Sequence, residues 1–112
     1  MTNELQYKDC IEACHEAADA SNICYVSSLK EYDIAMLRDC IVLTRECAEI
    51  CSFTADAMSR MSPFASDICS ICVQICEACA KECEKHAHQH CKDCAEACRR
   101  CAEICSNMCC VA

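Results

Sequence analysis

Eighteen cysteines among 112 residues set the strongest limit on what this chain can fold into. In the second half of the chain they recur at alternating intervals of three and four residues, as do the a and d positions of a helical heptad. At about 100° per residue, such a set forms one stripe along a single helix face. Glycine is absent and Pro63 is the one proline, so the sequence favours helices over sheets and tight turns.

The breaks between the periodic segments predict four helices, over about 3–27, 29–60, 63–85 and 88–109. Ser28 followed by Glu31 is a capping-box pattern near the start of the second helix. Ser62 followed by Pro63 is an N-cap with proline at the first helical position, where its missing N–H costs nothing. Short connections between long helices imply antiparallel neighbours. We therefore predict an all-α, up-down-up-down four-helix bundle with a cysteine-lined core, in which residues 1–112 form a single domain.

The cysteines of each predicted helix fall on its inward stripe, where a bundle normally buries Leu, Ile and Val. One or two cysteines at such positions could be small buried hydrophobic residues. Seventeen of them on four helices indicate a binding function instead, and only Cys110 lies off the stripes. The candidate metal ligands are Cys10, Cys14, Cys24, Cys40, Cys47, Cys51, Cys69, Cys72, Cys76, Cys79, Cys83, Cys91, Cys94, Cys98, Cys101, Cys105 and Cys109.

The spacing of the cysteines and the expected cellular compartment both favour metal binding over disulfides. Cβ atoms three or four residues apart on a helix are about 5–6 Å apart, whereas a disulfide needs about 3.5–4.5 Å. Disulfides within a helix are therefore disfavoured, while disulfides between helices remain possible. The segment from Met1 to Lys8 has no apolar stretch of the secretory type, so a cytoplasmic location is expected. In a reducing cytosol, dense cysteine indicates metal more often than disulfides.

Soft thiolates select Cu(I), Zn(II) or iron–sulfur clusters, and the chain lacks the loops that wrap a cluster. If each Cu(I) takes two sulfurs and each sulfur bridges two ions, capacity approaches about one ion per cysteine. One thiol proton leaves per Cu(I), so the core stays nearly neutral, whereas zinc with four thiolates leaves about −2 per buried site. The residues therefore favour multiple Cu(I) ions. Three alternatives stay open: a zinc-buffering, metallothionein-like protein, a redox enzyme or thiol redox sensor, and a helical interaction module.

Histidines cluster at one end of the predicted bundle, where the first and third connections lie. His86 and His90 project within about a quarter turn of the cysteine stripes and are candidate entry ligands. A solvated polar turn explains them equally well. The sequence does not fix the roles of Met36, Met58, Met61, His88 and Cys110.

The charge balance narrows the choice of partners. Ten Lys and Arg against 18 Asp and Glu give a formal charge of −8, which disfavours nucleic acid and anionic membranes. The acidic residues fall mostly between the cysteines and indicate solvated outer faces. Every thiol has a near-identical neighbour, so no nucleophile pair can be singled out. We predict a protein that is not an enzyme.

Five segments carry a resemblance to a known family: Cys10-Ile-Glu-Ala-Cys14, Arg45-Glu-Cys-Ala-Glu-Ile-Cys51, Ser62-Pro-Phe64, Ile68-Cys-Ser-Ile-Cys-Val-Gln-Ile-Cys-Glu-Ala-Cys79, and His86-Ala-His-Gln-His-Cys91 with the cysteines that follow it. Over essentially the whole chain, the sequence resembles the cytosolic copper storage proteins, which are cysteine-lined four-helix bundles. The resemblance implies Cu(I) held by inward thiolates, a homotetramer, and storage or buffering of cytosolic copper. The chain departs from that family at Ala17, Ser21 and Ser28, where further cysteines are common, and at Met36, where histidine is common.

Overall fold

The computed structural model describes residues 2–108, with side chains described from residue 7 onward. Four α-helices run in chain order, with one 3₁₀ helix (Ile34–Leu37) before the second: α1 (Thr2–Leu29), α2 (Arg38–Ser59), α3 (Ala65–Cys83) and α4 (Gln89–Met108). Over these residues there is no strand, and the predicted all-α four-helix architecture is confirmed. Cys109 and Cys110 lie outside the described residues.

The helices pack in a closed ring in which α1 contacts α2 and α4, and α3 contacts the same two helices. The bundle measures 49 × 19 × 18 Å, so it is a narrow rod with a thin core. Cysteine and alanine supply most of the buried side chains, and their small volume lets the helices approach closely. The largest fully buried side chains, Leu37 and Met58, lie near opposite ends of α2. None of the helices described between residues 2 and 108 combines the length and apolar character of a membrane span.

The first connection differs from the prediction that the second helix begins near Leu29. α1 continues to Leu29, and α2 begins only at Arg38. Ser28 does not act as an N-cap, because its side chain is fully buried and its Oγ lies 3.8 Å from the Sγ atom of Cys24. Glu31 is hydrogen bonded to His90 of α4, the helix that packs beside α1. The capping-box interpretation is therefore wrong, and tertiary contacts place both residues.

The second connection uses a turn that usually contains glycine. Met61 has a φ of 55°, in the left-handed region. Its N–H donates to the carbonyl of Met58 over 3.0 Å, and the N–H of Ser62 donates to the carbonyl of Ala57 over 2.9 Å. These two bonds form a Schellman motif, which ends α2 by satisfying its last carbonyls. A side chain in this conformation costs about 1–2 kcal/mol, which this glycine-free chain accepts at one described position.

The third helix begins slightly later than predicted. α3 starts at Ala65 rather than Pro63. Ser62 Oγ accepts a hydrogen bond from the N–H of Phe64 over 3.1 Å, and the Ser62 carbonyl accepts one from the N–H of Ala65 over 3.0 Å. The side chain of Ser62 thus organises the turn before the helix.

Candidate metal centre

The described cysteines of all four helices meet on the axis of the bundle. All sixteen side chains have no exposed surface, and we call this set the thiol column: Cys10, Cys14, Cys24, Cys40, Cys47, Cys51, Cys69, Cys72, Cys76, Cys79, Cys83, Cys91, Cys94, Cys98, Cys101 and Cys105. Contacts between sulfurs of different helices run along its length. Cys40 Sγ lies 3.6 Å from Cys83 Sγ, and Cys47 Sγ lies 3.6 Å from Cys98 Sγ. The structure therefore places the predicted stripes face to face.

Three sulfurs near one end of the column form an almost regular triangle. Cys14 Sγ lies 3.8 Å from both Cys101 Sγ and Cys105 Sγ, and the latter two are 3.9 Å apart. The centre of such a triangle lies about 2.2 Å from each corner, close to the usual bond length of about 2.3 Å between a metal and a thiolate. A soft ion could bind there with trigonal coordination and almost no movement of the side chains.

Other groups of donors repeat this arrangement along the axis. Cys47 lies 3.8 Å from both Cys51 and Cys76, which are 3.5 Å apart, all measured between Sγ atoms. Further groups whose donor atoms all lie within 4.8 Å of one another share members with these triangles: Cys51, Cys72, Cys76 and Cys101; Cys24, Cys83 and Cys94; Cys47, Cys79 and Cys98; and Cys24, His90 and Cys91. Shared members make the groups one continuous array, in which a sulfur could bridge two ions.

The wall of the column formed by α1 contains a stretch without sulfur. Between Cys14 and Cys24 the inward positions hold Ala17 and Ser21, both fully buried. Ser21 Oγ lies 3.6 Å from Cys94 Sγ and 3.8 Å from Cys98 Sγ. A hydroxyl is a harder donor than a thiolate, so this residue contributes hydrogen bonding rather than soft ligation. The middle of the column therefore depends on the sulfurs of α2, α3 and α4.

Hydrogen bonds between thiols shift neighbouring pKa values in opposite directions. Bonds from Cys101 and Cys105 raise the pKa of the Cys14 thiol, and burial acts in the same direction. A bond from Cys10 lowers the pKa of Cys105 to about 6. Burial in the apolar core raises the pKa of Cys91 to about 12. A thiolate that accepts S–H bonds is stabilised while its donors stay protonated, so the array can lose protons one at a time as cations arrive.

The histidines that were predicted as entry ligands occupy different surroundings. His90 Nδ1 lies 3.3 Å from Cys24 Sγ and 3.6 Å from Cys91 Sγ, so this residue adjoins the thiol column. His86 Nε2 instead lies 3.0 Å from a carboxylate oxygen of Glu82, one turn earlier in the chain. Cys109, the remaining predicted ligand, lies outside the described residues. The contact of His90 joins residues 66 positions apart and could not be found from local spacing.

Among the methionines, Met36 is exposed near the histidines, and Met58 is buried at the opposite end of the bundle. The Met58 side chain borders a groove of about 490 Å³ that Tyr7 and Ile11 also line.

The spacing of the cysteines did not indicate what surrounds His88, whose imidazole contacts two carboxylates. Its place in the short segment between Cys83 and Cys91 is the one signal that the sequence contained.

The fold and the thiol column define a cysteine-lined four-helix bundle built to hold soft metal ions. A family model described as copper storage protein matches residues 3–110. The chain belongs to the copper storage protein family.

Solved structures extend this likeness over nearly the whole chain. The Cu(I)-bound copper storage protein BsCsp3 is 47% identical, with a TM-score of 0.90 over 93% of this chain and 98% of that one. A cytosolic copper storage protein from Streptomyces lividans, solved with five coppers, is 33% identical, with a TM-score of 0.93 over 99% of this chain and 98% of that one. An uncharacterised cysteine-rich protein of Bacillus subtilis, YhjQ, is 49% identical over 60 residues, which are 53% of this chain and 56% of that protein.

Proposed function

We propose that this protein stores multiple Cu(I) ions in the thiol column and thereby buffers copper in the cytosol. The triangle of Cys14, Cys101 and Cys105 carries the proposal, because its sulfur spacing of 3.8–3.9 Å matches trigonal thiolate coordination. Family membership supports copper as the cargo. The structures of BsCsp3 and of the Streptomyces lividans protein were determined with copper bound, and the latter is described as cytosolic.

The proposed ligands are the sixteen cysteines of the thiol column together with Cys109, and the entry ligands are His90 and His86. His90 has the stronger support, because its Nδ1 faces Cys24 and Cys91. His86 would need to leave Glu82 before it could bind an ion. Each Cu(I) that displaces one thiol proton leaves the net charge of the core unchanged. This neutrality lets many ions share a core that excludes water.

Zinc buffering is the second candidate, and a group of four sulfurs favours it. Cys51, Cys72, Cys76 and Cys101 have Sγ atoms within 4.8 Å of one another, as tetrahedral zinc would require. Four thiolates around Zn²⁺ would leave two negative charges in the centre of the bundle, which costs free energy there. Sulfurs shared between adjacent groups also suit bridged Cu(I) better than separate tetrahedral sites.

Titration of the metal-free protein tests storage directly. Against a coloured Cu(I) chelator, we expect well over roughly ten Cu(I) per chain to bind, with the helical circular dichroism unchanged, because sulfurs can bridge ions. The matched titration uses Zn(II). Saturation at about four ions with a preference for zinc would contradict copper storage and support zinc buffering. Distinct reactivity of one or two thiols, without metal uptake, would support a redox sensor.

We also propose that the protein is not an enzyme. The family is one of storage proteins. Cys24 is the thiol nearest to His90, but its Sγ also lies 3.8 Å from the Sγ atoms of Cys40 and Cys91, so it is part of the array rather than a separate nucleophile. The proposed use of the thiols as ligands accounts for the whole set.

A homotetramer of bundles is the proposed assembly. Large apolar side chains stay exposed on three helices of the single chain, as at Ile23 (62%), Val42 (64%) and Ile71 (51%). Where such side chains form a contiguous patch, they are typical of an interface between proteins. We expect sedimentation equilibrium to give four times the chain mass. A monomer at micromolar concentration would contradict this assembly, and replacement of Val42 by Glu should weaken it.

A further inference from the structure

The turn after α1 brings a carboxylate to the histidine that adjoins the thiol column. Glu31 Oε2 lies 2.8 Å from His90 Nε2. The other ring nitrogen of His90, Nδ1, lies 3.3 Å from Cys24 Sγ. The imidazole therefore spans the boundary between a carboxylate on the outside and the outermost thiols on the inside.

The chemistry of these contacts fixes the protonation of the ring. An ionised carboxylate only accepts hydrogen bonds, so Nε2 of His90 must carry a proton and donate the hydrogen bond to Glu31. A neutral imidazole has one N–H, and Nδ1 is then left with a lone pair that faces the thiol of Cys24. A lone pair at this nitrogen is what Cu(I) needs from a histidine ligand.

We propose that Glu31 is a positioning residue for copper entry: it holds His90 in the Nε2–H tautomer, so that Nδ1 and the thiolates of Cys24 and Cys91 receive the first Cu(I). The proposal rests on the proposed function, since it needs Cu(I) as the cargo. Carboxylates that orient a metal-binding histidine through its other nitrogen are a recurrent feature of metal sites. Here the donor group Cys24, His90 and Cys91 has its ligand atoms within 4.8 Å of one another.

Neighbouring groups hold Glu31 in place. His88 Nδ1 lies 3.3 Å from the same oxygen of Glu31, while its Nε2 lies 3.0 Å from Asp33. The His88 and His90 rings are parallel to within 5°, with centroids 5.2 Å apart. Glu31 therefore lies between two imidazoles: it accepts a hydrogen bond from His90, while the outer ring, His88, is hydrogen bonded to Asp33. The hydrogen bond of Asp33 to His88 also lowers the pKa of this carboxyl group, so Asp33 stays an acceptor.

Nitrogen NMR of the metal-free protein tests the tautomer without copper. In the natural protein we expect His90 Nδ1 to give the shift of an unprotonated ring nitrogen. In Glu31→Ala we expect the two nitrogens to average, because the acceptor is lost. Glu31→Gln keeps a carbonyl acceptor and should restore most of the original signal. Glu49→Gln is the matched control, since Glu49 is exposed and paired with Arg45 on the outer face of α2.

The rate of copper transfer from a coloured chelator complex is the second measurement. We expect Glu31→Ala to slow the initial uptake about 10-fold, by analogy with the loss of metal affinity or activity when a group that orients a metal-binding histidine is removed. The final number of ions should stay within about one of the natural count, because the thiol column is intact. Glu31→Gln should recover most of the rate, and Glu49→Gln should match the natural protein.

The outcomes separate this inference from copper storage itself. Natural protein that binds no Cu(I) would overturn the proposed function. Natural protein that fills with copper, while Glu31→Ala shows the same His90 spectrum and the same rate, would overturn the role of Glu31 alone. Equal slowing by Glu49→Gln would also overturn it, because the effect would then be one of surface charge.

Discussion

A variant with serine at Cys72, Cys76, Cys94 and Cys98 is expected to lose at least four Cu(I) ions per chain, about a quarter of the capacity if each cysteine accounts for about one ion. These residues belong to three of the donor groups in the middle of the column. Ions that bridged to them also lose a ligand, so the loss should exceed the number of sulfurs removed. The triangle of Cys14, Cys101 and Cys105 stays complete at one end. Titration against the coloured chelator gives the count.

The matched control changes four exposed acids, three on the same helices and one on α2. Glu46, Glu77, Glu96 and Glu103 lie between the cysteines on outer faces, and their replacement by Gln should leave the copper count unchanged. The serine variant should stay helical, because Ser21 and Ser28 already occupy the core in contact with thiols. An unchanged copper count in the serine variant would contradict storage in the column and favour a helical interaction module.

The positions of the thiols followed from the sequence because helical spacing alone decides which side chains share a face. Steps of three and four from Cys69 to Cys83 define one stripe whatever the neighbouring helices are. The trigonal spacing of the sulfurs did not follow from the sequence, since it depends on the axial offset between α1 and α4. Cys14 meets Cys105 across 91 positions, and no local pattern encodes that offset.

The first turn shows how a local pattern can mislead. Ser28 and Glu31 have the spacing of a capping box, so the pattern predicted the start of a helix. Burial of Ser28 against Cys24 and the hydrogen bond that Glu31 accepts from His90 compete for the same two side chains. Both competing contacts come from tertiary structure. Glu31, one of the two residues that broke the local rule, contacts His90, the proposed entry ligand.

Copper is expected to raise the melting temperature of the protein by at least about 20 °C. Cysteine and alanine supply most of the buried side chains, so the metal-free bundle gains little hydrophobic free energy per buried residue. An ion that binds only the folded state at 100 times its dissociation constant adds about 2.7 kcal/mol to the free energy of unfolding. Two such ions add about 5 kcal/mol, and each kcal/mol is worth about 4 °C in a domain of this size.

Thermal circular dichroism under anaerobic conditions, at increasing numbers of Cu(I) per chain, measures this shift. The midpoint should rise with each addition until the column is full, because every ion links helices whose buried contacts are made mainly by small side chains. The variant with serine at Cys72, Cys76, Cys94 and Cys98 should level off earlier and at a lower temperature. If the midpoints of the natural protein were equal with and without copper, the ions would be bound equally well by the unfolded chain. Ligation by a preformed column would then be wrong. At a site that exists only in the folded protein, the free energy of binding adds to the free energy of unfolding.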